Sequence, residues 1–309
     1  MGITNFDLVA VMGGVPLMPG GLPLGANYFF VDSATGSDGN PGTWEDPLAT
    51  LDFAIGKCTA NKGDVIVVKP NHSETITGAG GITADVAGIT IVGLGQGDQR
   101  PRFLMDAATT VTFVISAADV TVRNCVFAAG HADIVTCFNI TGKNAWIDSC
   151  EFVENVATEN FLTEIKATST TNNNADGLKV TNCRAITVDA SALEFLEVNA
   201  DLDRLVFTGN FISKDGATGG VGILCATGKD LTSAQITHNQ VLSGATSGAI
   251  LVNSDTSANT GIVAYNVIGH HDTASAAPID LTGARIFENY AVGVDDASGL
   301  LLPAVDDNA

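Results

Sequence analysis

One eight-residue pattern of apolar and polar positions recurs seven times in this chain, and this repeat constrains the fold more than any other feature of the sequence. The copies are VTVRNCVF (120–127), AWIDSCEF (145–152), LKVTNCRA (178–185), LVFTGNFI (205–212), AQITHNQV (234–241), GIVAYNVI (261–268) and ARIFENYA (284–291). Their sixth positions lie 25, 33, 27, 29, 27 and 23 residues apart. Short strands at such a period are typical of a parallel β-solenoid, in which each repeat forms one coil that stacks on the last.

Each coil is predicted to contain two strands. The repeated segment forms one of them, and a second apolar segment precedes it, namely FVIS, CFNIT, TEIKAT, FLEVNA, GILCAT, AILVNS or PIDLTG. Between Asp64 and Ala291 there is room for about eight coils, which makes a rod about 40 Å long at a strand spacing of about 4.8 Å. A sandwich of short strands lacks this fixed register, so the sequence predicts an all-β solenoid.

The sixth position of the repeat is expected to stack from coil to coil. It holds cysteine in three successive copies and asparagine in the next four: Cys125, Cys150, Cys183, Asn210, Asn239, Asn266 and Asn289. Asparagine amides can hydrogen-bond along such a stack, and cysteine behaves there as a small buried apolar residue. The alternative is a disulfide between neighbouring coils, but side chains in parallel register point the same way, which disfavours disulfide geometry. Free, buried thiols are therefore predicted.

The balance of charge limits the partners of the protein. Fourteen basic residues against 34 acidic residues give a formal net charge of −20, which repels phosphate and argues against a nucleic-acid partner. No Lys or Arg precedes Lys57 or follows Arg285. Much of the excess negative charge therefore lies at the two ends of the chain, and the coils between them are closer to neutral.

An uncharged segment near the N-terminus, residues 8–31, suggests at first a membrane or secretory segment. Its repeated glycines and prolines would break a helix in lipid, and the chain has no basic region in front of it, as a secretory signal needs. The segment is therefore predicted to be an extended apolar arm that docks on a partner. No membrane partner is expected.

Four regions are predicted along the chain. Residues 1–27 form the attachment arm, 28–63 a cap with a short helix, 64–291 the parallel β-helix and 292–309 an acidic C-terminal tail. In the cap, Asp46 is predicted as the helix N-cap with Pro47 at the first helical position. The apolar face of that helix is then Leu48, Leu51, Ala54, Ile55 and Cys58. In the tail, the run Leu300 to Leu302 is expected to cover the last coil or to contact a neighbouring subunit.

The segment YFFVDSATGSDGNPGTWEDPLATLDFAI (28–55) resembles the opening of right-handed parallel β-helix proteins of the pectate-lyase-like superfamily. The shared features are an aromatic-Val-Asp strand, a Gly-Ser-Asp-Gly-Asn-Pro-Gly loop and a Pro-x-Ala-Thr-Leu helix. The matching residues are Tyr28, Val31, Asp32, Gly36, Ser37, Asp38, Gly39, Asn40, Pro41, Gly42, Pro47, Ala49, Thr50 and Leu51. With the coils, the resemblance covers about 28–291 and implies a right-handed parallel β-helix. Members include polysaccharide lyases and hydrolases, surface proteins and bacteriophage tailspikes, fibres and capsid-associated proteins, so the fold implies no single activity.

One tetrapeptide, Asn174 to Gly177, resembles the Asn-x-Asp-Gly of polygalacturonases. The partner motifs of that family, an Asp-Asp pair and a Gly-His-Gly two coils on, are absent at that spacing. Asp176 lies in a polar turn before a strand, where Asp is favoured for turn chemistry alone. Asp119 and Asp203 fall near the same turn in other coils, so these acids are expected to serve the turns.

Two further clusters invite a metal or an acid–base role. Asp201, Asp203 and Arg204 form a D-x-D-R sequence, either a solvated turn with a local ion pair or, with Asp189, a cation site. His270 and His271 precede Asp272, a group that suits a metal or acid–base chemistry and is otherwise an exposed loop. His72, His131 and His238 are isolated in the sequence. No metal and no cofactor is predicted.

A lyase would need a basic side chain near acidic calcium ligands. The candidates for such a base are Lys166, Lys179 and Arg184, and only their closeness in the sequence supports them. A sugar-binding groove also stacks several aromatic rings, and the chain has only two tryptophans, Trp44 and Trp146, of which Trp146 is expected to point outward. These counts weaken the carbohydrate-enzyme hypothesis, and no catalytic residue is predicted.

The function predicted from these features is structural. The MGITNF start and the apolar arm resemble bacteriophage virion proteins, which implies a capsid decoration or head-fibre protein on the particle exterior, assembled in the host cytoplasm. Residues 1–25 would bind other virion proteins, and largely uncharged outer faces favour packing into a homo-oligomer, a trimer in the simplest case. The alternative is a tailspike-like β-helix, a lyase or hydrolase or a protein that binds a host-surface glycan. A bacterial surface adhesin is a third hypothesis.

Overall fold

The computed structural model describes residues 26–156, 158–169, 174–189, 191–214, 220–244, 249–274, 277–294 and 297–301. Residues 1–25, which make up nearly all of the predicted arm, lie outside these ranges. Across the described ranges, we find no helix that is both long enough and apolar enough to span a bilayer.

The regular secondary structure of the described residues consists of short strands, one α-helix and one 3-10 turn. In chain order they are β1 (Tyr28–Val31), α1 (Leu51–Lys57), β2 (Val65–Val68), β3 (Ser73–Ile76), β4 (Ile82–Ala84), β5 (Thr90–Gly93), the 3-10 turn Gly97–Gln99, β6 (Arg102–Met105), β7 (Phe113–Ile115), β8 (Thr121–Arg123), β9 (Val126–Ala129), β10 (Ile134–Ile140), β11 (Trp146–Asp148), β12 (Glu151–Glu154), β13 (Phe161–Ala167), β14 (Lys179–Thr181), β15 (Arg184–Thr187), β16 (Leu196–Val198), β17 (Leu202–Asp203), β18 (Val206–Thr208), β19 (Phe211–Lys214), β20 (Ile223–Cys225), β21 (Leu231–Thr232), β22 (Ala234–Thr237), β23 (Gln240–Ser243), β24 (Val252–Asn253), β25 (Gly261–Ala264), β26 (Val267–Ala274), β27 (Arg285–Phe287), β28 (Asn289–Val294) and β29 (Ala297–Leu301).

Three long sheets wind these strands into a right-handed parallel β-helix of about eight turns, so the predicted fold class is confirmed. Sheet A has the order β1-β2-β5-β8-β11-β14-β18-β22-β25-β27, sheet B the order β29-β28-β26-β23-β19-β15-β12-β9-β6-β3, and sheet C the order β24-β20-β16-β13-β10-β7-β4. A further pair, β17 and β21, lies at the corner between sheets C and A. The strands β1 to β28 pair in parallel with their neighbours from the preceding and following turns.

The prediction of two strands per coil is wrong, because each turn has three. The repeated segment bends at its fifth residue, so its first half lies in sheet A and its second half in sheet B. That residue has a positive φ, between 52° and 71°, in all seven copies, which are Asn124, Ser149, Asn182, Gly209, His238, Tyr265 and Glu288. A left-handed residue turns the chain sharply between two strands, and the apolar pattern of the sequence did not reveal this corner.

The predicted stack at the sixth position is confirmed as a buried ladder. The amide nitrogen of Asn210 donates to Oδ1 of Asn239 at 3.0 Å, and Asn239 donates in the same way to Asn266 at 2.9 Å. Each of these Oδ1 atoms also accepts a backbone N–H from the preceding turn. The cysteines of the earlier copies are buried in the same column, and all six cysteines of the chain are free thiols.

Aromatic rings fill the first half of the solenoid. Phe103, Phe127 and Phe152 stack along sheet B with centroids 5.5 and 5.9 Å apart. Phe113 and Phe138 of sheet C stack 4.8 Å apart and meet them edge-on. Such pairs stabilise a core beyond the area that they bury, so the interior is a close-packed apolar column.

The N-terminal cap exists, but its helix begins later than predicted. Helix α1 starts at Leu51 with Thr50 as its N-cap, and Leu48 is instead paired with β1 through Val31. The carboxylate of Asp38 accepts the backbone N–H groups of both Ala49 and Thr50, which holds this stretch extended. The predicted Asp46 cap is therefore wrong, because a longer-range acid fixes the chain between Pro47 and the helix. Leu51, Ala54 and Ile55 are buried as predicted.

The other end of the solenoid is closed by a strand. β29 pairs with β28 in the antiparallel sense, with Leu300 opposite Tyr290 and Leu301 opposite Asn289. The described part of this leucine run extends sheet B by one antiparallel strand, and the expectation that the run covers the last coil stays a prediction. An added antiparallel strand occupies the hydrogen-bonding edge of sheet B, while Leu302 lies outside the described ranges.

Candidate functional site

The acids of the polygalacturonase-like segment hold turns together. Asp176 Oδ1 accepts the backbone N–H of Asp203 at 3.0 Å from the next coil, and its Oδ2 accepts the amide of Asn174 at 2.8 Å. Asp119 accepts the amide of Asn144 at 2.9 Å. The bonds of Asp176 to Asp203 and of Asp119 to Asn144 join successive coils along the corner between sheets C and A, and the bond to Asn174 lies within one turn. Asp176 and Asp119 therefore stabilise turns, as expected from the sequence.

The D-x-D-R segment lies at the same corner. Arg204 forms an ion pair with Asp203, and Lys229 lies 3.9 Å from Asp201. Asp189 belongs to the loop between sheets B and C, where its Oδ1 accepts the N–H of Ser191 at 2.8 Å. The structure thus places Asp189 at a different corner from Asp201 and Asp203, and it does not assemble the cation site considered from the sequence.

The three candidate lyase bases point away from one another. Lys166 lies on sheet C, where it pairs with Glu197 at 2.7 Å. Lys179 begins β14 of sheet A, and Arg184 begins β15 of sheet B. Since the three sheets form three sides of the solenoid, these cations do not share a groove.

The histidines are also dispersed. His270 lies on sheet B opposite Ser243, while the side chains of His271 and Asp272 lie outside the described set. Buried His72 accepts the N–H of Ser33 at 2.9 Å and lies 3.1 Å from Glu74, and His238 stacks on Tyr265. His131 contacts only a neighbouring carbonyl, that of residue 132. In the described part of the chain, no three His, Cys, Asp or Glu side chains are grouped as metal ligands.

An aromatic and charged cluster lies on the outer face of sheet A around Trp146. The indole N–H donates to Thr181 Oγ1 at 2.8 Å. The guanidinium of Arg123 and the ammonium of Lys179 lie 5.3 and 5.7 Å from the ring centroid. Trp146 therefore faces outward as predicted, between two cations that come from neighbouring coils.

Asp148 anchors that cluster. Its carboxylate pairs with Arg123 at 2.8 Å and accepts hydrogen bonds from Thr181 and Asn182. Burial works against ionisation, but these hydrogen bonds and the nearby guanidinium outweigh it and lower the pKa of Asp148. The carboxylate is thus held ionised as a structural acceptor.

A buried group of titratable side chains was not revealed by the sequence. Lys214, from the end of β19, donates to Oε2 of Glu164 at 2.6 Å and to the backbone carbonyl of Glu194 at 3.0 Å. Thr163 donates to Oε1 of Glu194 at 2.7 Å. Lys214 is 0 % exposed, and the side chain of Glu164 is 1 % exposed. This buried cluster fills the corner where sheet B turns toward sheet C.

Burial dominates the electrostatics of the cluster. It raises the pKa of Glu164 to about 7, although the ammonium of Lys214 opposes the shift. Two carboxyl groups and an amine are the raw material of acid–base chemistry. A sugar chain cannot reach side chains that are sealed from solvent. In this structure the contacts of Lys214, Glu164 and Glu194 therefore stabilise the corner between sheets B and C.

Comparison with known proteins adds little beyond the fold. No family model matches the chain, and no curated protein matches it either. Among solved structures, a rhamnogalacturonan lyase is similar over 91% of this chain and 86% of its own, at 14% identity and a TM-score of 0.49. A GH136 lacto-N-biosidase from Eubacterium ramulus is similar over 87% of this chain and 68% of its own, at 12% identity and a TM-score of 0.28.

Proposed function

We propose that this protein is a structural β-helix of a bacteriophage particle, a capsid decoration or head-fibre protein that attaches through residues 1–25. The observation that carries the structural part is the sealed position of the Lys214, Glu164 and Glu194 cluster. These are the side chains best suited to acid–base chemistry, and their hydrogen bonds stabilise the corner between sheets B and C. Asp176, the acid of the polygalacturonase-like segment, is likewise engaged in a hydrogen bond with Asp203 of the next coil.

The proposal of a phage particle depends on the N-terminal segment of the chain. The segment GGVPLMPGGLPLG (13–25) is rich in Leu, Pro and Gly and has no charge, which suits docking of an extended segment in an apolar groove. The solenoid that follows is a continuous stack of short parallel strands in three sheets. On this proposal the protein lies on the outside of the particle, after assembly in the host cytoplasm.

Attachment is tested with the full chain and with a chain that starts at Ala26. Each is mixed with phage particles that lack the protein, and the fraction that sediments with the particles is measured. The full chain is expected to bind in a fixed ratio to capsid or tail subunits, and the shortened chain to remain in the supernatant with an unchanged circular dichroism spectrum. Equal sedimentation of both chains would contradict attachment through the arm.

Binding of an acidic glycan is a second candidate, favoured by the cluster around Trp146. A ring flanked by Arg123 and Lys179 offers stacking to a sugar and cations to its carboxylate. Titration with bacterial surface polysaccharide, followed by indole fluorescence, tests it, with Trp146→Ala as the variant and Trp44→Phe as the control. Release of new reducing or unsaturated sugar ends in the same mixture would overturn the non-catalytic proposal.

A further inference from the structure

The outer face of sheet B carries an uncharged column along the rod. Side chains alternate across a strand, so the residue that follows a core residue in a sheet B strand points outward. These residues are aligned in register from β6 to β28; they are the third residue of each strand except β28, where Val292 is the fourth. We name this column the apolar stripe; it consists of Leu104, Ala128, Val153, Ile186, Ser213, Leu242, Gly269 and Val292.

The adjacent column, formed by the residues two positions before the stripe in the same strands, widens the apolar surface. Val126 and Phe211 lie in it, and near the C-terminal end Val267 and Tyr290 are 41% and 52% exposed. The charges in this column are compensated locally. Glu151, for example, pairs with both Arg100 and Arg184.

The other two faces differ in character. The outer face of sheet A carries the Arg123, Asp148 and Lys179 charges around Trp146. The outer face of sheet C carries the ion pair between Lys166 and Glu197. Of the three described faces, sheet B therefore has the longest run of outward side chains without a charge.

We propose that the outer face of sheet B packs against the same face of a second copy of this chain, with the two rods side by side. Eight strands at about 4.8 Å and a width of about four residues give roughly 500 Å² on each copy. Two such faces bury roughly 1,000 Å², which is the size at which a specific protein interface becomes stable. The exposed large apolar side chains of this face are Val267, Tyr290 and Val292 near its C-terminal end. Leu104, Val153, Ile186 and Leu242 are half-buried, and Ala128 and Gly269 are buried.

The spacing of the strands along the rod favours a second copy of this chain as the partner of the sheet B face. A partner must present apolar groups at the same spacing of about 4.8 Å along the whole stripe, and a second solenoid does so by construction. Two sheets packed face to face lie about 10 Å apart with their side chains interdigitated. The end of sheet B is covered by the antiparallel strand β29, which favours association through the face over end-to-end stacking. The inference does not depend on attachment to a phage particle.

The test is the molar mass of the full chain in solution, measured by light scattering and by sedimentation equilibrium. The wild type is expected at twice the chain mass of 31.7 kDa, as a face-to-face pair requires. The double variant Ile186→Lys and Leu242→Lys, which places two charges on the apolar stripe, is expected at the monomer mass. The matched control is Val206→Lys and Ile262→Lys on the outer face of sheet A, which is expected to keep the wild-type mass.

Three results would overturn the proposal: a monomeric wild type, a stripe variant that keeps the wild-type mass, or a control variant that dissociates equally. Circular dichroism checks that each variant is folded. Should the lysine variant unfold, Ile186→Thr with Leu242→Thr takes its place, because threonine suits a strand and still weakens the apolar contact. That pair is expected to raise the dissociation constant, and an unchanged constant would refute the interface.

Discussion

Lys214 and Glu164 are fifty positions apart in the sequence and form an ion pair of 2.6 Å inside the solenoid, with both side chains sealed from water. The lysine comes from sheet B and the glutamate from sheet C. The pair and its hydrogen bond to the carbonyl of Glu194 occupy the corner between those sheets. A buried pair costs desolvation energy, but removal of one partner costs more than removal of both.

Replacement of the lysine is therefore expected to be strongly destabilising. Lys214→Met leaves the carboxylate of Glu164 buried without a counterion, and we expect a loss of about 3–5 kcal/mol in the free energy of unfolding near pH 8. Urea denaturation measures it. Lys166→Met is the matched control, because its ion pair with Glu197 is partly exposed and is expected to contribute at most about 1 kcal/mol. Equal losses in the two variants would contradict the prediction.

The same pair makes stability depend on pH. Burial raises the pKa of Glu164 from the ordinary 4.5 to about 7 in the folded protein. The folded state thus holds this proton more tightly than the unfolded state. The contribution of Glu164 to stability is greatest below about pH 4.5 and is lost as the pH rises through 7, by at most about 1.4 kcal/mol per pH unit.

Other acids titrate as well, so the measurement is a difference between two proteins. The free energy of unfolding of the wild type minus that of Glu164→Gln is expected to fall between pH 4.5 and 7 and then to level off. A difference that stays flat, or one that rises with pH, would show that the carboxyl group is not held in the way the structure indicates.

The solenoid could be predicted from the sequence because seven of its coils each contain one copy of the repeated segment. Equivalent residues stack in every turn, so the alignment of Asn210 with Asn239 was visible before any coordinates. The third strand was missed because it requires a bend inside the repeated segment. Residues as different as Ser149 and Tyr265 make that bend at a positive φ, and no shared residue type marks it.

The buried cluster was missed for a different reason. Its members come from separate strands, and Lys214, Glu164 and Glu194 carry no motif in the sequence. One signal could have found the lysine: it takes the place in its strand that Ala129, Thr187 and Ser243 take in theirs. A charged residue at an inward position of a repeat implies a buried partner. Which residue is that partner still depends on how the loops join sheets B and C.

The asparagine ladder is expected to stabilise the second half of the rod. Asn239→Ala removes the acceptor of the Asn210 amide and of its backbone N–H, and leaves the carbonyl of Phe207 without its donor. Buried polar groups left without partners cost about 1–3 kcal/mol each, so a loss of about 2–4 kcal/mol is expected in thermal or urea unfolding. Cys150→Ala, in the same column, is the control and is expected to cost about 1 kcal/mol. A smaller loss at Asn239 than at Cys150 would argue against the ladder as a source of stability.

The six thiols provide the last prediction, because their environments differ in a measurable way. Burial raises the pKa of Cys125 and Cys183 far above the usual range, and burial beside Asp64 raises the pKa of Cys58 to about 12. The thiolate is the reactive form, so a thiol reagent at pH 8 is expected to leave the native protein almost unlabelled. Cys58 is the one partly exposed cysteine and should account for the slow reaction that remains.

Unfolding in denaturant without a reductant should then release six reactive thiols. The variant Cys58→Ser is the control: it should abolish the slow native reaction and lower the unfolded count by one. A count of four in the unfolded wild type would mean that two neighbours in the column form a disulfide. Rapid labelling of several thiols in the native protein would mean that the solenoid opens at the ladder. Either result would contradict a column of free cysteines packed as small apolar residues between successive coils.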